Sequence, residues 1–523
     1  MQPWANTDTP GCAVAVIHNQ KVIHAKGYGM ADLERGVPIT PDTVFDIASI
    51  SKQFTATAVL FAAAEGKLAL DDDIRTHVPA LPQLGEMPIT IRHLLHHTGG
   101  LRDYMTLLVL GGHRYDGTTT VRDAIDALAR QRGVAFSPGA KHEYSNTGYF
   151  LLAQGVEQAT KQTLGAYLDA KVFAPLGMSR TQVSDDHRRI IPGRAIAYAP
   201  RGEGWEIEMS PWDQTGDGSV MSTVLDLAKW DANFYEPTVG GQPLVDALLT
   251  RGKLADGTEL DYAAGLVHGA YRGRPTVWHS GGWAGYASMF ERFPALRTSV
   301  VVLCNAGNAR PDLAAHRIVD ILHDEDLQGE PTVDDVPPPT RLAPAELDAW
   351  AGTYRYAETG ELVTVERVGD ELELASAGER YALTPTTIST FRIMTNHVVM
   401  RFDGATPHRK LVAKSGALEE MFTEVELREP TPAELAALAG RYHSDEVDAE
   451  WTFTVSDGKL LATGRAFDGP AVVAAGIADE YTITAIDTPI RVTRDKRGRI
   501  TGFTLATSVA RGVRFDRVPA RSR

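Results

Sequence analysis

Apolar and polar positions change rhythm several times along the chain, and each rhythm predicts a different element. Residues 12–18 and 21–28 are two β-rich runs split by the polar turn His18-Asn19-Gln20, the pattern of a hairpin. From Lys52 to Glu65 the pattern is helical and stops at Gly66, a residue suited to ending a helix. Further helical patterns cover 119–132, 146–161 and 163–172, and Thr223 followed by Asp226 fits a capping box opening a helix over 223–234. Strand patterns return at 275–280, 286–293 and 298–304, and a helix follows at about 310–322. Strands therefore open and close this region with helices between them. An antiparallel sheet built from both ends, with a helical lobe inserted, satisfies that order.

At 324–341 the chain becomes acidic and Pro-rich, from Asp324 to the run Pro337-Pro338-Pro339, which reads as a stiff, solvated linker. Short alternating strands and turns follow. They contain an internal repeat: the segment from Pro344 to Gly352 and Tyr354 aligns with that from Pro432 to Gly440 and Tyr442, 88 residues later. That offset is long for a solenoid, whose repeats run to about 20–50 residues. Two tandem all-β domains, small antiparallel barrels, fit better. The expected division is a first domain over 1–325, a linker over 326–341, and barrels over 342–429 and 430–523.

The chain has 523 residues, enough for two to four domains, and its 43% hydrophobic and 23% charged content is that of a folded globular protein. Lys+Arg 52 against Asp+Glu 67 gives a net charge of -15, which disfavours a phosphate backbone as partner, so no nucleic-acid role is expected. No apolar run reaches the 18 or so residues of a membrane helix, and the first ten residues lack the features of a signal peptide, so a cytoplasmic protein without a membrane partner is expected. The two cysteines, Cys12 and Cys304, lie in apolar strand-like runs and read as buried free thiols.

Three short segments carry candidate chemistry. In the first, Ser49 precedes Lys52 by three residues at the start of a helix, a spacing that puts both on one face and lets the lysine hydrogen-bond the hydroxyl. A serine needs such a neighbouring base to become a nucleophile. The alternative is a Ser/Thr-rich cap followed by a surface lysine. Ser51 has no lysine three residues on and is the weaker candidate. In the second, Tyr144 offers a phenol for proton transfer and Asn146 an amide that orients a substrate carbonyl or the lysine, against a plainer reading as an aromatic plug beside a helix cap. In the third, His279, Gly281 and Gly282 end a strand, placing a polar ring beside backbone that a ligand can approach.

With these three motifs in this order, separated by 95 and 135 residues, the sequence resembles the penicillin-recognising serine hydrolases (peptidase family S12), which include class C β-lactamases, DD-peptidases, related esterases and D-aminopeptidases. The segments 89–101 and 216–223 look like further landmarks, and the likeness covers about residues 10–322. The linker and two barrels, with Leu101-Arg102-Asp103-Tyr104 and segments 440–448 and 510–513, look most like the D-stereospecific aminopeptidase branch. The resemblance implies a serine β-lactamase-like α/β (α+β) domain, an antiparallel sheet flanked by helices, followed by two lipocalin-like all-β barrels. It implies an acyl-enzyme on Ser49, with Lys52 and Tyr144 sharing the role of base, Asn146 orienting substrate, and an oxyanion hole from the backbone N–H groups of Ser49 and Gly282. His279 stands where many β-lactamases and DD-peptidases carry a lysine that helps bind a substrate carboxylate. A mostly neutral imidazole binds that group less strongly. This favours an aminopeptidase or amidase acting on short peptides or amino-acid amides. A broad esterase, a weak β-lactamase, an acyl transferase and a non-catalytic binding protein are the alternatives. In the aminopeptidase branch a loop from the last barrel reaches the active site; here it corresponds to 481–490, where Asp487 could meet a substrate ammonium.

No cofactor or metal is expected. His93, His96 and His97 have helical spacing but no carboxylate or cysteine beside them in a metal pattern, and read as packing. Asp71-Asp72-Asp73 lacks the spacing of a calcium loop. Trp278 and Trp283, flanking His279, read as packing or as ligand walls. A homodimer is the assembly expected by analogy.

Overall fold

The computed structural model describes residues 6–519 apart from 203, 329–340, 377–378, 394–397, 416–417, 475–476, 478, 487 and 508. Most of the expected linker and Asp487 thus lie outside the described residues. The chain divides into two compact units, Met1–Met105 with Arg114–Asp334, and Thr106–His113 with Asp335–Arg523.

The first unit is organised by a six-stranded antiparallel sheet. Its strands are β1 (Cys12–His18), β2 (Lys21–Tyr28), β3 (Val267–Tyr271), β4 (Arg274–Trp283), β5 (Tyr286–Phe293) and β6 (Thr298–Cys304), in the order β3-β4-β5-β6-β1-β2. The hairpin and the three later strands lie where the alternation of residues places them, and the sheet joins both ends of the region around an inserted lobe. β1 and β6 are almost wholly buried, as their near-continuous Val, Ile and Ala content requires of central strands. β2 is one edge, and its Lys21, His24 and Lys26 are exposed along it.

The lobe holds helices α1 (Lys52–Ala64), α2 (Asn146–Thr160) and α3 (Val224–Ala232), and α4 (Pro311–His323) follows the sheet. α1 is alanine-rich and buried along most of its length, and ends before Gly66 at φ 68. Phe54 of α1 packs on Trp230 of α3 at 5.1 Å between ring centroids. α4 sets Ala315 and Val319 against Val14, Val16, Val300 and Val302 of the sheet. Thr223 caps α3 by accepting from Asp226 N at 3.1 Å. The reciprocal half of the expected box is missing, because the Asp226 carboxylate accepts from Arg180 N, Thr181 Oγ1 and Lys229 Nζ instead.

One expectation is overturned. Cys12 and Cys304 are a disulfide, not free thiols. Each sits at the end of a run that alone looks like buried strand, but β1 and β6 are antiparallel neighbours whose register sets Cys12 directly opposite Cys304, with Cα atoms 4.0 Å apart.

The second unit contains two closed eight-stranded antiparallel barrels, with strands between Gly352 and Val425 and between Gly440 and Arg517. The repeat is the entry to each barrel. Tyr354 and Tyr442 are fully buried, and each hydroxyl donates back to a carbonyl four residues earlier, Trp350 O at 2.8 Å and Leu438 O at 2.7 Å. Among the described residues no helix is long and apolar enough to cross a membrane.

Candidate active site

Ser49 lies in a single 3-10 turn, Ala48–Ser51, that feeds directly into α1. Ala48 has φ 48, a conformation costly for a residue with a Cβ, and its N–H is held by the buried Asp46 carboxylate at 2.8 Å. Burial pushes the Asp46 carboxyl up to about 6. Ser51 is tied elsewhere: its Oγ accepts from Val220 N at 3.1 Å.

Lys52, with no exposed surface, reaches back along the helix face to Ser49. Its Nζ stands 3.1 Å from Ser49 Oγ, 3.0 Å from Asn146 Oδ1 and 2.7 Å from the Asp217 carbonyl oxygen. Asn146 opens α2, and its backbone N–H donates to Asp103 Oδ2 at 3.0 Å. Among the described residues its Nδ2 donates only to the weak acceptor Met105 Sδ, at 3.3 Å, which leaves capacity for a stronger acceptor. Tyr144 lies beside the same nitrogen, its ring centroid 4.8 Å from Lys52 Nζ and 6.2 Å from the His279 ring.

His279 is buried on β4, with Nδ1 2.6 Å from the Ser280 carbonyl oxygen and Nε2 3.1 Å from Tyr262 Oη. A carbonyl only accepts, so Nδ1 carries the proton and Nε2 accepts from the phenol. Burial, with the Lys52 charge nearby, pushes the imidazole down to about 3. It is therefore neutral at physiological pH. The unfolded imidazole titrates near 6.5, so the unfolded chain takes up a proton that the folded site refuses. This contribution to stability is present above pH 6.5 and is lost as pH falls towards 3. His279→Gln should remove it, so that the wild type's margin over the variant shrinks by about 3 kcal/mol between pH 7 and pH 4 in denaturant titrations. A margin independent of pH would contradict a buried neutral ring.

Gly281 is required by space. A Cβ there would stand 2.5 Å from the Ile47 carbonyl oxygen and against Ser288 Oγ, displacing the turn that carries Ser49. At Gly282 the corresponding space is open. Ser49, Asn146, Asp217, Gly282, Trp212 and Trp283 line a pocket of about 430 Å³, a volume that includes space open to solvent.

The structure thus brings together Ser49, Lys52, Tyr144, Asn146, His279, Gly281 and Gly282. Trp278 and Trp283 part company: Trp278 packs against the sheet core, and Trp283 faces the pocket. The histidine run disperses. His93 Nδ1 accepts from Thr90 N as part of a helix cap, and His97 lies among the rings of Tyr144, Tyr149 and Tyr262 while its Nδ1 accepts from Ser145 N at 3.2 Å. Burial lowers the pKa of His96 to about 4 and holds that of His97 well below its ordinary value. Among the described residues, Asp186, His187 and Asp213 form the grouping with metal-ligand spacing, but Arg188 already engages Asp186 and His187 Nδ1 lies 2.9 Å from Asp213 Oδ1.

Tyr262 and Asp217 were not expected among the central groups. Tyr262 has no motif around it. Asp217 lies in the landmark segment 216–223, but only the fold turns it onto the pocket, where its Oδ2 accepts from Tyr104 Oη at 3.0 Å and burial pushes its carboxyl up to about 6.

Several known proteins are similar to this chain. D-aminopeptidase of Gluconobacter oxydans (strain 621H) is 28% identical over 456 residues, 86% of this chain and 82% of its own. D-aminopeptidase of Brucella ovis is 26% identical over 532 residues, 98% of this chain and 96% of its own. Penicillin-binding protein 4* of Bacillus subtilis (strain 168) is 30% identical over 304 residues, 54% of this chain and 65% of its own. The solved octameric penicillin-binding protein homologue from Pyrococcus abyssi superposes with TM-score 0.58 at 25% identity, covering 81% of this chain and 98% of that one. The Beta-lactamase family model matches residues 2–324, the part that carries the sheet, the lobe and the pocket, and the chain belongs to that family.

Proposed function

We propose that this protein is a serine hydrolase that cleaves amide bonds of short peptides or amino-acid amides through an acyl-enzyme, in the manner of a D-aminopeptidase. The observation that carries the reading is the three-way hold on Lys52 Nζ. In the amine form of Lys52, Asn146 Oδ1 and the Asp217 carbonyl take its two N–H groups, and the lone pair is left facing Ser49 Oγ. A base so oriented can take the serine proton without first reorganising.

Ser49 Oγ then bonds to the substrate carbonyl carbon while its proton passes to Lys52. The oxyanion lies against the N–H groups of Ser49 and Gly282. The C–N bond breaks as Tyr144 relays a proton to the departing amine. Water repeats the sequence on the ester, releasing a carboxylic acid and restoring Ser49. Each step is carried by protein groups. The D-aminopeptidase relatives align over most of this chain and of their own, which supports amide substrates with a free amine.

A second reading, a DD-peptidase-like transferase or weak β-lactamase, is favoured by the likeness of the catalytic part to penicillin-binding protein 4*. A panel of D- and L-aminoacyl nitroanilides, nitrophenyl esters and a chromogenic cephalosporin separates the two. Turnover of D-aminoacyl nitroanilides above their L-counterparts is expected. Ester turnover alone, or cephalosporin as the best substrate, would defeat the first reading. As to location, oxidising compartments maintain disulfides, so the Cys12–Cys304 bond weighs against the cytoplasmic expectation.

A further inference from the structure

The pocket beside Ser49 has an aromatic component that the proposed chemistry does not use. Trp212 and Trp283 both line it, edge to face, with centroids 5.6 Å apart at 67°. Tyr115 completes the group, stacked on Trp212 at 5.5 Å and 19°, and edge-on to Trp283 at 6.0 Å. The cluster has a fixed base and an open rim. Trp212 is buried, and its indole N–H donates to the Arg114 carbonyl at 3.2 Å, while Trp283 is half-buried and Tyr115 is 54% exposed. Aromatics that merely fill a core bury all their members; here half-buried Trp283 lines the cavity, and Tyr115, packed on both tryptophans behind it, keeps apolar surface in water. Trp283 directly follows Gly282, where no atom lies within 4 Å of the position a Cβ would take, so the backbone beside it is open to a ligand.

We propose that Trp212, Trp283 and Tyr115 form a side-chain subsite that makes bulky apolar, above all aromatic, acyl groups the substrate class of this enzyme. The assignment to the acyl half rests on the acyl-enzyme reading. The acyl group stays bonded to Ser49 after the amine has left, so it is the half that needs an enclosed pocket. Trp212, anchored through its N–H, supplies a wall that cannot retract. Trp283 and Tyr115 supply edges and faces at right angles, the arrangement in which aromatic rings associate best. A hydrophobic pocket discriminates side chains by on the order of tenfold to a few hundredfold, and that range is the expected reach of this subsite.

The test uses the full-length chain carrying Ser49→Ala, so that binding is read without turnover. Calorimetric titration with D-alaninamide, D-leucinamide and D-phenylalaninamide holds amine and amide constant and varies only the side chain. D-phenylalaninamide should bind at least tenfold tighter than D-alaninamide. Adding Trp283→Ala should shrink that ratio at least fivefold, whereas Trp283→Phe, which keeps a ring, should preserve more than half of it. Circular dichroism confirms that each variant is folded. Equal affinities for the three amides, or an equal loss for all three in Trp283→Ala, would overturn the subsite. In the active enzyme the same ratio is read in kcat/KM. No amide turnover with the binding ratio intact would defeat the hydrolase reading and leave the subsite standing. Turnover with a flat ratio would do the reverse.

Discussion

Ser49→Ala is expected to lower kcat on any amide or ester substrate by at least about 10³-fold, with the protein remaining folded. The hydroxyl is the only one whose oxygen meets Lys52 Nζ among the described polar contacts of that lysine. Removing it takes away the atom proposed to form the covalent bond while leaving the turn, the buried lysine and the pocket in place. Lys52→Ala should be comparably damaging, because the two residues act as one unit; the double variant should then be little worse than either single one. Mass spectrometry of wild type stopped during turnover should show an adduct equal to the acyl group on the peptide containing Ser49. Undiminished turnover in Ser49→Ala would require another nucleophile. Ser51 is not prepared for that role, since its Oγ is engaged with Val220 N.

The largest effect on stability is expected at a pair that does not line the pocket. Arg292 on β5 and Asp231 on α3 meet at 2.8 Å with side chains only 2% and 1% exposed. The guanidinium is also sandwiched between Phe234 and Phe290, at 3.9 and 4.0 Å from their centroids. Burial raises the pKa of the Asp231 carboxyl and lowers that of the guanidinium, the signature of two charges held out of water and relying on each other. Asp231→Ala would leave the arginine charge buried and without its partner, and should cost about 3–5 kcal/mol. In a unit of this size that is a fall on the order of 5–10 °C in the melting temperature. Replacing both residues with apolar ones, Asp231→Leu with Arg292→Met, should recover most of the loss, because the penalty belongs to the widowed charge more than to the bond. A double variant as unstable as the single would mean that the pair does more than neutralise itself.

How much of this was legible beforehand depends on the range over which each feature is decided. The hairpin, α1 with its Gly66 stop and the strands of the sheet follow from local alternation and end signals, and they lie close to where the sequence places them. Ser49 and Lys52 were legible for the same reason, since a three-residue spacing fixes their meeting before any tertiary structure forms. Tyr144, Asn146 and His279 were legible as candidates from their own segments, but their sharing one site with Ser49 came through family resemblance, because nothing local says that segments 95 and 135 residues apart share one cavity. Tyr262 and the inward turn of Asp217 were missed, for each is defined by what the fold brings opposite it. The cysteines are the sharpest case. Their strands were recognised, and so was a sheet closed from both ends. A disulfide, however, depends on register, and a slip of one residue would have put the two sulfurs on opposite faces.

The closure of that sheet by its first and last strands has a consequence for how the molecule would respond to damage. Sequence positions separated by 292 residues are covalently tied, so the whole lobe hangs from the sheet as a ring whose ends are riveted together. A protease that nicks an exposed turn of the lobe would not release a fragment, and the cut would surface on a gel only once a reductant had opened the rivet.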